Sequence, residues 1–173
     1  MSDDTIPSLV SHWAETSPDR VWLRDLHEQG SDDYTWAEAN AQIRSVAAML
    51  EDRFGHGKRM GILSRNRPHW FLADIAIIAS GNVSLSLFTT LPASTAEYIL
   101  DFTEARVLFV GETQNWESVK SILREDVTLI ALPGVVLDRP HLRWEDLLGE
   151  WEGRAPDYEC AADDMMSLVF TSG

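Results

Sequence analysis

Residues 59–87 read RMGILSRNRPHWFLADIAIIASGNVSLSL and contain a short apolar strand, a helix and a second strand. The segment from Trp70 to Ala79 is apolar on nearly every side, so the helix is predicted to be buried. Gly81 ends that helix, and residues 83–87 then alternate strictly between apolar and polar side chains. This alternation predicts a strand with one buried face. A strand, a buried helix and another strand form the unit from which parallel sheets are built.

Capping residues predict where three helices begin. Thr35 and Glu38 have the spacing of a capping box, in which each side chain bonds the backbone N–H of the other residue. Ser94 and Glu97 repeat this spacing and predict a second box. Asn66 stands directly before the apolar helix and is expected to cap it.

The same patterns extend the fold on both sides of this unit. Further strands are predicted at 21–23, 107–110, 127–132 and 165–170, and further helices at 7–16, 36–54, 116–123 and 144–151. Residues 29–33 are predicted to form a turn, and 153–162 is the best candidate for a linker. Strands that alternate with helices indicate an α/β fold with a mainly parallel sheet flanked by helices.

Composition narrows the classes of partner. The 173 residues carry a formal net charge of −14, and nucleic-acid binding depends on Lys and Arg that neutralise phosphates. The charge therefore argues against nucleic acid, and against electrostatic docking on anionic lipid. The 45% of hydrophobic residues is ordinary for a soluble globular domain.

The predicted compartment follows from the cysteine and the N-terminus. Cys160 is the one cysteine and cannot form an internal disulfide, which favours a reducing compartment. The first four residues are MSDD and lack the basic and apolar pattern of a signal peptide. The longest apolar stretch is too short to span a bilayer. We therefore expect a cytoplasmic protein, with peripheral contact to membranes left open.

Several standard reaction centres are absent from the sequence. The five histidines are scattered and there is no cysteine cluster, so no metal ligand is assigned. Asp163 and Asp164 form a carboxylate pair near the end, which we interpret as solvated residues before a strand. Asp74 lies within the apolar helix and needs a partner, for which Arg65 or Arg67 is expected. No catalytic residue is assigned.

The last three residues, Thr171, Ser172 and Gly173, follow an apolar strand. Hydroxyl groups can donate hydrogen bonds to an anion, and glycine lets consecutive backbone N–H groups converge on it. The stretch is therefore a candidate for the start of a phosphate-binding loop, although an ordinary turn has the same composition.

The order of elements and the local sequence resemble the adenylate-forming (AMP-binding) enzymes, and most closely the long-chain fatty acyl-CoA synthetases. The matching stretches are YTWAE at 34–38, GILSRNRPHW at 61–70, ADIA at 73–76, LFTTLP at 87–92, EYIL at 97–100, VLFVGE at 107–112 and FTSG at 170–173. The resemblance implies that residues 1–173 are the N-terminal portion of the family's large domain. The rest of that domain and a C-terminal domain would lie beyond Gly173.

The resemblance also implies an activity. Members join a carboxylic acid to a thiol in two steps, through an acyl-adenylate formed from ATP, with magnesium and coenzyme A. Thr171, Ser172 and Gly173 would begin the phosphate loop. We expect the isolated chain to be inactive, to bind these ligands poorly and to self-associate through exposed strand edges.

Two alternatives remain open. One keeps the superfamily but changes the acid or acceptor: an aryl or short-chain ligase, a carrier-protein acylase or the adenylation domain of a carboxylate reductase. The other is a non-catalytic α/β interaction module. Reading the gene past the Gly173 codon would separate the module from the ligase.

Overall fold

The computed structural model describes residues 4–170, which form six helices and eight strands. In chain order these are α1 Ile6–Thr16, β1 Val21–His27, β2 Gly30–Thr35, α2 Trp36–Phe54, β3 Arg59–Leu63, α3 Pro68–Ala79, β4 Val83–Leu87, α4 Ala93–Phe102, β5 Val107–Val110, α5 Trp116–Ile122, β6 Thr128–Ala131, β7 Leu142–Arg143, α6 Trp144–Glu150 and β8 Ser167–Leu168.

Six of the strands form one sheet in the order β7-β6-β5-β3-β4-β8, and every neighbouring pair in it is parallel. The other two strands, β1 and β2, form a separate antiparallel hairpin. The predicted α/β fold with a mainly parallel sheet is therefore confirmed.

Helices cover both faces of the sheet. Successive side chains of a strand point to opposite sides, and here the side chains on both sides are apolar and need cover. On one face, Met60, Ile62 and Phe109 pack in a cluster with residues of α1, α2, α3 and α6. On the other face, Leu63 and Leu108 belong to a cluster with residues of α4 and α5. Two cores on opposite faces are the arrangement expected of a doubly wound sheet.

The apolar helix α3 is buried, as predicted. It packs between α2 and the sheet, and eight of its twelve residues are buried. Ile75 and Ile78 are each 5% exposed, whereas Phe71 is 40% exposed near the start of the helix. A helix that is apolar on nearly every side is stable here because neighbours cover it on several sides.

The predicted turn at 29–33 is wrong. Gly30 begins β2, which pairs with β1 as far as Thr35, and the turn consists of Glu28 and Gln29. The prediction failed because Gly30, Ser31 and the following aspartates are residue types that favour turns. Pairing with β1 overrides that preference, and Arg24 bonds Asp33 across the hairpin.

One capping prediction of three is confirmed. The Thr35 hydroxyl accepts the Glu38 N–H at 3.2 Å, and the Glu38 carboxylate accepts the Thr35 N–H at 2.9 Å. Ser94 and Glu97 form no box, because Pro92 already occupies the cap position and the helix starts at Ala93. Proline fixes φ near the helical value and so favours this earlier start.

The Asn66 cap is wrong for a similar reason. Arg67 occupies the cap position of α3 without a side-chain cap, and Pro68 is the first helical residue.

The predicted single buried face of β4 is also wrong. Leu85 and Leu87 belong to the core on the α4 side, so Ser84 and Ser86 lie on the α3 side, where Ser84 is fully buried.

The chain beyond β6 departs most from the prediction. The short strand β7 was missed, and β8 comprises two residues instead of the six predicted at 165–170. The predicted linker at 153–162 has no helix or strand, but it packs against the rest of the domain. The Asp157 N–H donates to Glu51 at 2.7 Å, and the Tyr158 ring contacts that of His56 with centroids 5.0 Å apart.

Candidate functional site at the carboxyl edge of the sheet

The carboxyl ends of the parallel strands meet along one edge of the sheet. From β3 the chain enters α3 on one face, whereas from the neighbouring β5 it enters α5 on the opposite face. This divergence opens a crevice between the ends of β3 and β5. In open α/β sheets, ligands bind at such a switch point.

A cleft of about 370 Å³ occupies this crevice and is here named the switch-point cleft. Its lining residues are Asp25, Asp32, Tyr34, Ser64, Arg67, His69, Trp70, Gly111, Glu112, Leu132, Pro133, Gly134 and Val135. Its floor is tightly closed, because a Cβ on Gly111 would lie 2.2 Å from the Ser64 hydroxyl and 2.7 Å from the Ser64 Cβ. Glycine is therefore required where β5 ends.

A network of ion pairs joins the hairpin to this edge. Arg67 donates to Asp25 at 2.8 Å and to Glu112 at 3.1 Å, and Arg65 donates to the other oxygen of Glu112 at 2.8 Å. Arg65 and then Arg67 hold the pKa of the Glu112 carboxyl below its usual value. The two positive charges of the arginines are thus balanced by two carboxylates near the end of β5 and the start of α3.

His69 contributes a neutral ring to the switch-point cleft. Its imidazole meets the edges of the Tyr34 and Trp144 rings, with centroids 5.3 and 5.5 Å away. Burial lowers the pKa of His69 below the ordinary value of 6.5, so the ring is neutral at pH 7. Burial, followed by nearby carboxylates, raises the pKa of the Tyr34 hydroxyl, which also remains uncharged.

A second cleft, of about 600 Å³, lies where β3 and β4 end and is here named the β4 cleft. Its lining residues are Ser64, Arg65, Asn66, Trp70, Ser86, Leu87, Phe88, Thr89 and Val169. Val169 directly follows β8. Since β8 runs parallel to β4, the chain leaves it at the carboxyl edge, beside this cleft.

The residues predicted to start a phosphate loop, Thr171, Ser172 and Gly173, lie outside the described residues, so their role stays a prediction. Within residues 4–170, no group of three or more His, Cys, Asp or Glu side chains is arranged to hold a metal ion. The same span contains no helix long and apolar enough to cross a membrane.

Asp164 has a structural role. Its carboxylate accepts hydrogen bonds from the Tyr158 hydroxyl at 2.7 Å and from the Ala161 N–H at 2.8 Å. The bond to Asp164 raises the pKa of Tyr158 to about 12. The thiol of Cys160 donates to the Ile78 carbonyl at 3.3 Å, and burial raises its pKa. The bonds to Asp164 therefore fix the 153–164 segment internally, and the bond from Cys160 holds it against α3.

The expected pairing of Asp74 with Arg65 or Arg67 is wrong. Both arginines lie at the carboxyl edge and bind other carboxylates, as described above. Asp74 lies deeper along α3, where burial raises its pKa and the nearby Ser84 lowers it to a smaller extent.

Sequence reasoning missed the network of Arg65, Arg67 and Glu112 and the cleft beside it. A signal for it was present. All three residues lie within a few positions of the ends of predicted strands of a parallel sheet, and the carboxyl ends of such strands share one edge. What the sequence could not supply was the strand order that makes β3 and β5 neighbours.

The sequence was compared with models of protein families and with known proteins. A family model described as AMP-binding enzyme matches residues 10–173. Fatty acyl-CoA synthetase A of Dictyostelium discoideum is 30% identical over 169 residues, which cover 87% of this chain and 25% of that protein. The long-chain-fatty-acid–CoA ligase FadD15 of Mycobacterium bovis is 33% identical over 107 residues, covering 61% of this chain and 18% of that protein.

A solved structure shares the fold. The acetoacetyl-CoA synthetase from Streptomyces lividans superposes with a TM-score of 0.84 at 23% identity, over 96% of this chain and 28% of that one. The chain thus spans between 18% and 25% of the length of the two synthetases it matches in sequence.

Proposed function

The chain belongs to the AMP-binding enzyme family, and we propose that it is the N-terminal part of an ATP-dependent acid–thiol ligase. In the proposed reaction, a carboxylate attacks the α-phosphate of ATP to form an acyl-adenylate and pyrophosphate. A thiol, proposed to be that of coenzyme A, then displaces AMP. The position of β8 is the single observation that carries this proposal, because it directs the chain to the carboxyl edge of a parallel sheet beside an open cleft.

The phosphate contacts are assigned to Thr171, Ser172 and Gly173. Two hydroxyls and a glycine on the carboxyl side of a parallel strand are donors that fit phosphate oxygens. These donors would bind the β- and γ-phosphates and stabilise the charge on the departing pyrophosphate. Magnesium in such sites is held largely by substrate phosphates with one or two carboxylates, and we propose that these carboxylates lie beyond Gly173.

A long-chain fatty acid is the proposed acid. It is supported by the names of the two relatives, a fatty acyl-CoA synthetase and a long-chain-fatty-acid–CoA ligase.

A cytoplasmic location is also proposed. It is supported by the free thiol of Cys160, and cell fractionation tests it.

The reaction is tested by ATP–pyrophosphate exchange with a panel of carboxylic acids of different chain lengths. We expect no exchange from the 173-residue chain, which spans at most 25% of the length of the two relatives, and exchange from a protein that extends beyond Gly173. Exchange by the 173-residue chain would refute its inactivity, and none by the extended protein with any acid would refute the ligase.

The loop is tested in the extended protein by single-turnover formation of the acyl-adenylate. Thr171→Ala should slow this step by roughly ten- to a thousandfold, because a donor that strengthens its bond as charge develops is lost. The matched control is Thr16→Ala at the end of α1, where the hydroxyl bonds the His12 carbonyl. Equal rates in the two variants would show that residues 171–173 are an ordinary turn.

We also propose that the 173-residue chain self-associates through β8. This strand pairs with β4 on one side, and Met165 and Val169 beside it are 63% and 65% exposed. Residues 165–170 carry no charge, and the exposed rings of Tyr98 and Phe102 continue the apolar surface. An uncharged, apolar edge favours pairing with a second copy.

Sedimentation velocity tests this association. The mean mass should rise with protein concentration and with salt, because salt screens the repulsion between copies of charge −14. Val169→Lys should abolish the rise, since a lysine beside an edge strand opposes pairing. A monomer at every concentration and salt would refute the proposal.

A further inference from the structure

One side chain carries the charge of the β4 cleft. Among the described residues that line it, Arg65 is the one ionisable group, and the others are apolar, hydroxyl or amide side chains. A guanidinium in a cleft that no carboxylate lines is a feature of anion-binding sites, because arginine presents several donors in one plane.

The structure holds Arg65 in place on one side and leaves its other donors free. Its backbone N–H donates to the Glu112 carbonyl at 2.9 Å, and its Nη1 donates to the Glu112 carboxylate at 2.8 Å. No other side-chain hydrogen bond of Arg65 is formed within residues 4–170, and the side chain is 62% exposed. The guanidinium is therefore positioned without being saturated.

Arg67 provides the contrast within the same network. Its Nε and Nη2 both donate to Asp25, at 3.1 and 2.8 Å, while its Nη1 donates to Glu112. Three of its nitrogens are thus engaged, and the side chain joins the hairpin to the edge. Arg65 has one engaged nitrogen, so it is the arginine of this pair that can accept a ligand.

We propose that Arg65 binds a phosphate group of a phosphorylated substrate in the β4 cleft, with Glu112 as the residue that positions it. This inference rests on the proposed function and names one contact of that site. Thr89 and Ser86 supply hydroxyls in the same cleft. A phosphate oxygen would then bond a guanidinium and neutral hydroxyls together.

The experiment is an NMR titration of the isotopically labelled 173-residue chain at low salt. The probes are inorganic pyrophosphate, ATP, coenzyme A and a short-chain carboxylate. We expect affinities on the order of millimolar, corresponding to about −4 kcal/mol. Pyrophosphate should shift the signals of Arg65, Thr89 and Val169, and added salt should weaken the binding.

The variants separate a phosphate contact from a surface ion pair. Arg65→Gln should weaken pyrophosphate binding by about tenfold or more, because a charge-assisted bond is lost. Arg65→Lys should retain an intermediate affinity, since it keeps the charge but not the planar donors, and it replaces the Gln variant if that one does not fold. Arg124→Gln is the matched control, because Arg124 is an exposed arginine paired with Asp126 and does not line the cleft.

Each outcome bears on the proposal. Equal binding by Arg65→Gln and Arg124→Gln would overturn it, as would shifts caused by the carboxylate and not by pyrophosphate. Tighter binding of ATP than of coenzyme A would assign the phosphate to the nucleotide, and the reverse would assign it to the thiol substrate. Arg65-dependent binding of pyrophosphate without exchange activity in the extended protein would reject the ligase and leave this contact standing.

Discussion

Asn82 and Ser84 lie two residues apart where α3 leads into β4, and both are buried, yet their surroundings differ. The Asn82 Oδ1 accepts the Lys58 N–H at 2.9 Å, while its Nδ2 donates to the Gly55 carbonyl at 3.0 Å and to Ser80. The Ser84 hydroxyl is fully buried and meets no partner within hydrogen-bond distance among residues 4–170. Most buried polar groups in proteins are paired, so Ser84 is the exception that needs an explanation.

The difference separates the two ends of the domain. At the amino edge of the sheet, Asn82 connects three turns of backbone, and the polar groups there are satisfied within the chain. Ser84 faces the middle of α3, where its polar neighbour is the partly buried carboxyl of Asp74. The paired polar groups at the amino edge therefore stabilise the fold, whereas Ser84 and Asp74, which lie between α3 and β4, lower its stability.

The largest effect is expected at the satisfied position. Asn82→Ala removes the side chain and leaves the Lys58 N–H and the Gly55 carbonyl without their partner. An unpaired group costs about 1–3 kcal/mol when fully buried and less when partly buried, as these two are, so the free energy of unfolding should fall by roughly 2 kcal/mol. Denaturant unfolding of the 173-residue chain measures it.

The control for that prediction is Asn66→Ala. Asn66 is an exposed asparagine, and substitutions of exposed residues without special contacts usually change stability by less than about 0.5 kcal/mol. If Asn82→Ala destabilised the chain no more than Asn66→Ala, the hydrogen bonds of Asn82 would contribute little and the comparison with Ser84 would fail.

The sequence predicted the fold where one local pattern was sufficient. The apolar helix α3, the box of Thr35 and Glu38 and the alternation of strands and helices are short-range signals, and all three are confirmed. The prediction failed where tertiary contacts decide. The hairpin converts a turn-like stretch into β2, and the cores on both sides of β4 bury residues that look solvent-facing.

The candidate site was predictable to a smaller extent. Thr171, Ser172 and Gly173 were identified from composition and from the family resemblance, and their role remains a prediction. Arg65 and Glu112 are 47 positions apart, so their contact depends on the order of strands in the sheet. No periodicity within either segment carries that information.

The smallest effect is expected at the unsatisfied position, and it depends on pH. Burial raises the folded-state pKa of Asp74 above its ordinary value of 3.8. The contribution of Asp74 to stability is therefore complete below pH 3.8 and is lost as the pH rises through the folded-state pKa. Asp74→Asn removes this loss, so the variant should be more stable than the wild type at pH 7.

Ser84→Ala separates the charge of Asp74 from the packing around it. Near pH 4, removing this buried hydroxyl should leave the free energy of unfolding unchanged or raise it by less than about 1 kcal/mol. Because Ser84 lowers the pKa of Asp74, the free energy of unfolding of Ser84→Ala relative to the wild type should be lower at pH 7 than at pH 4. The gain from Asp74→Asn should instead shrink as the pH falls from 7 toward 4, because the carboxyl becomes neutral in both states. Denaturant unfolding curves of the wild type, Asp74→Asn and Ser84→Ala across this pH range test both expectations. A gain from Asp74→Asn that is independent of pH would show that the carboxyl is not destabilising through its charge, and that packing alone distinguishes this interior from the amino edge.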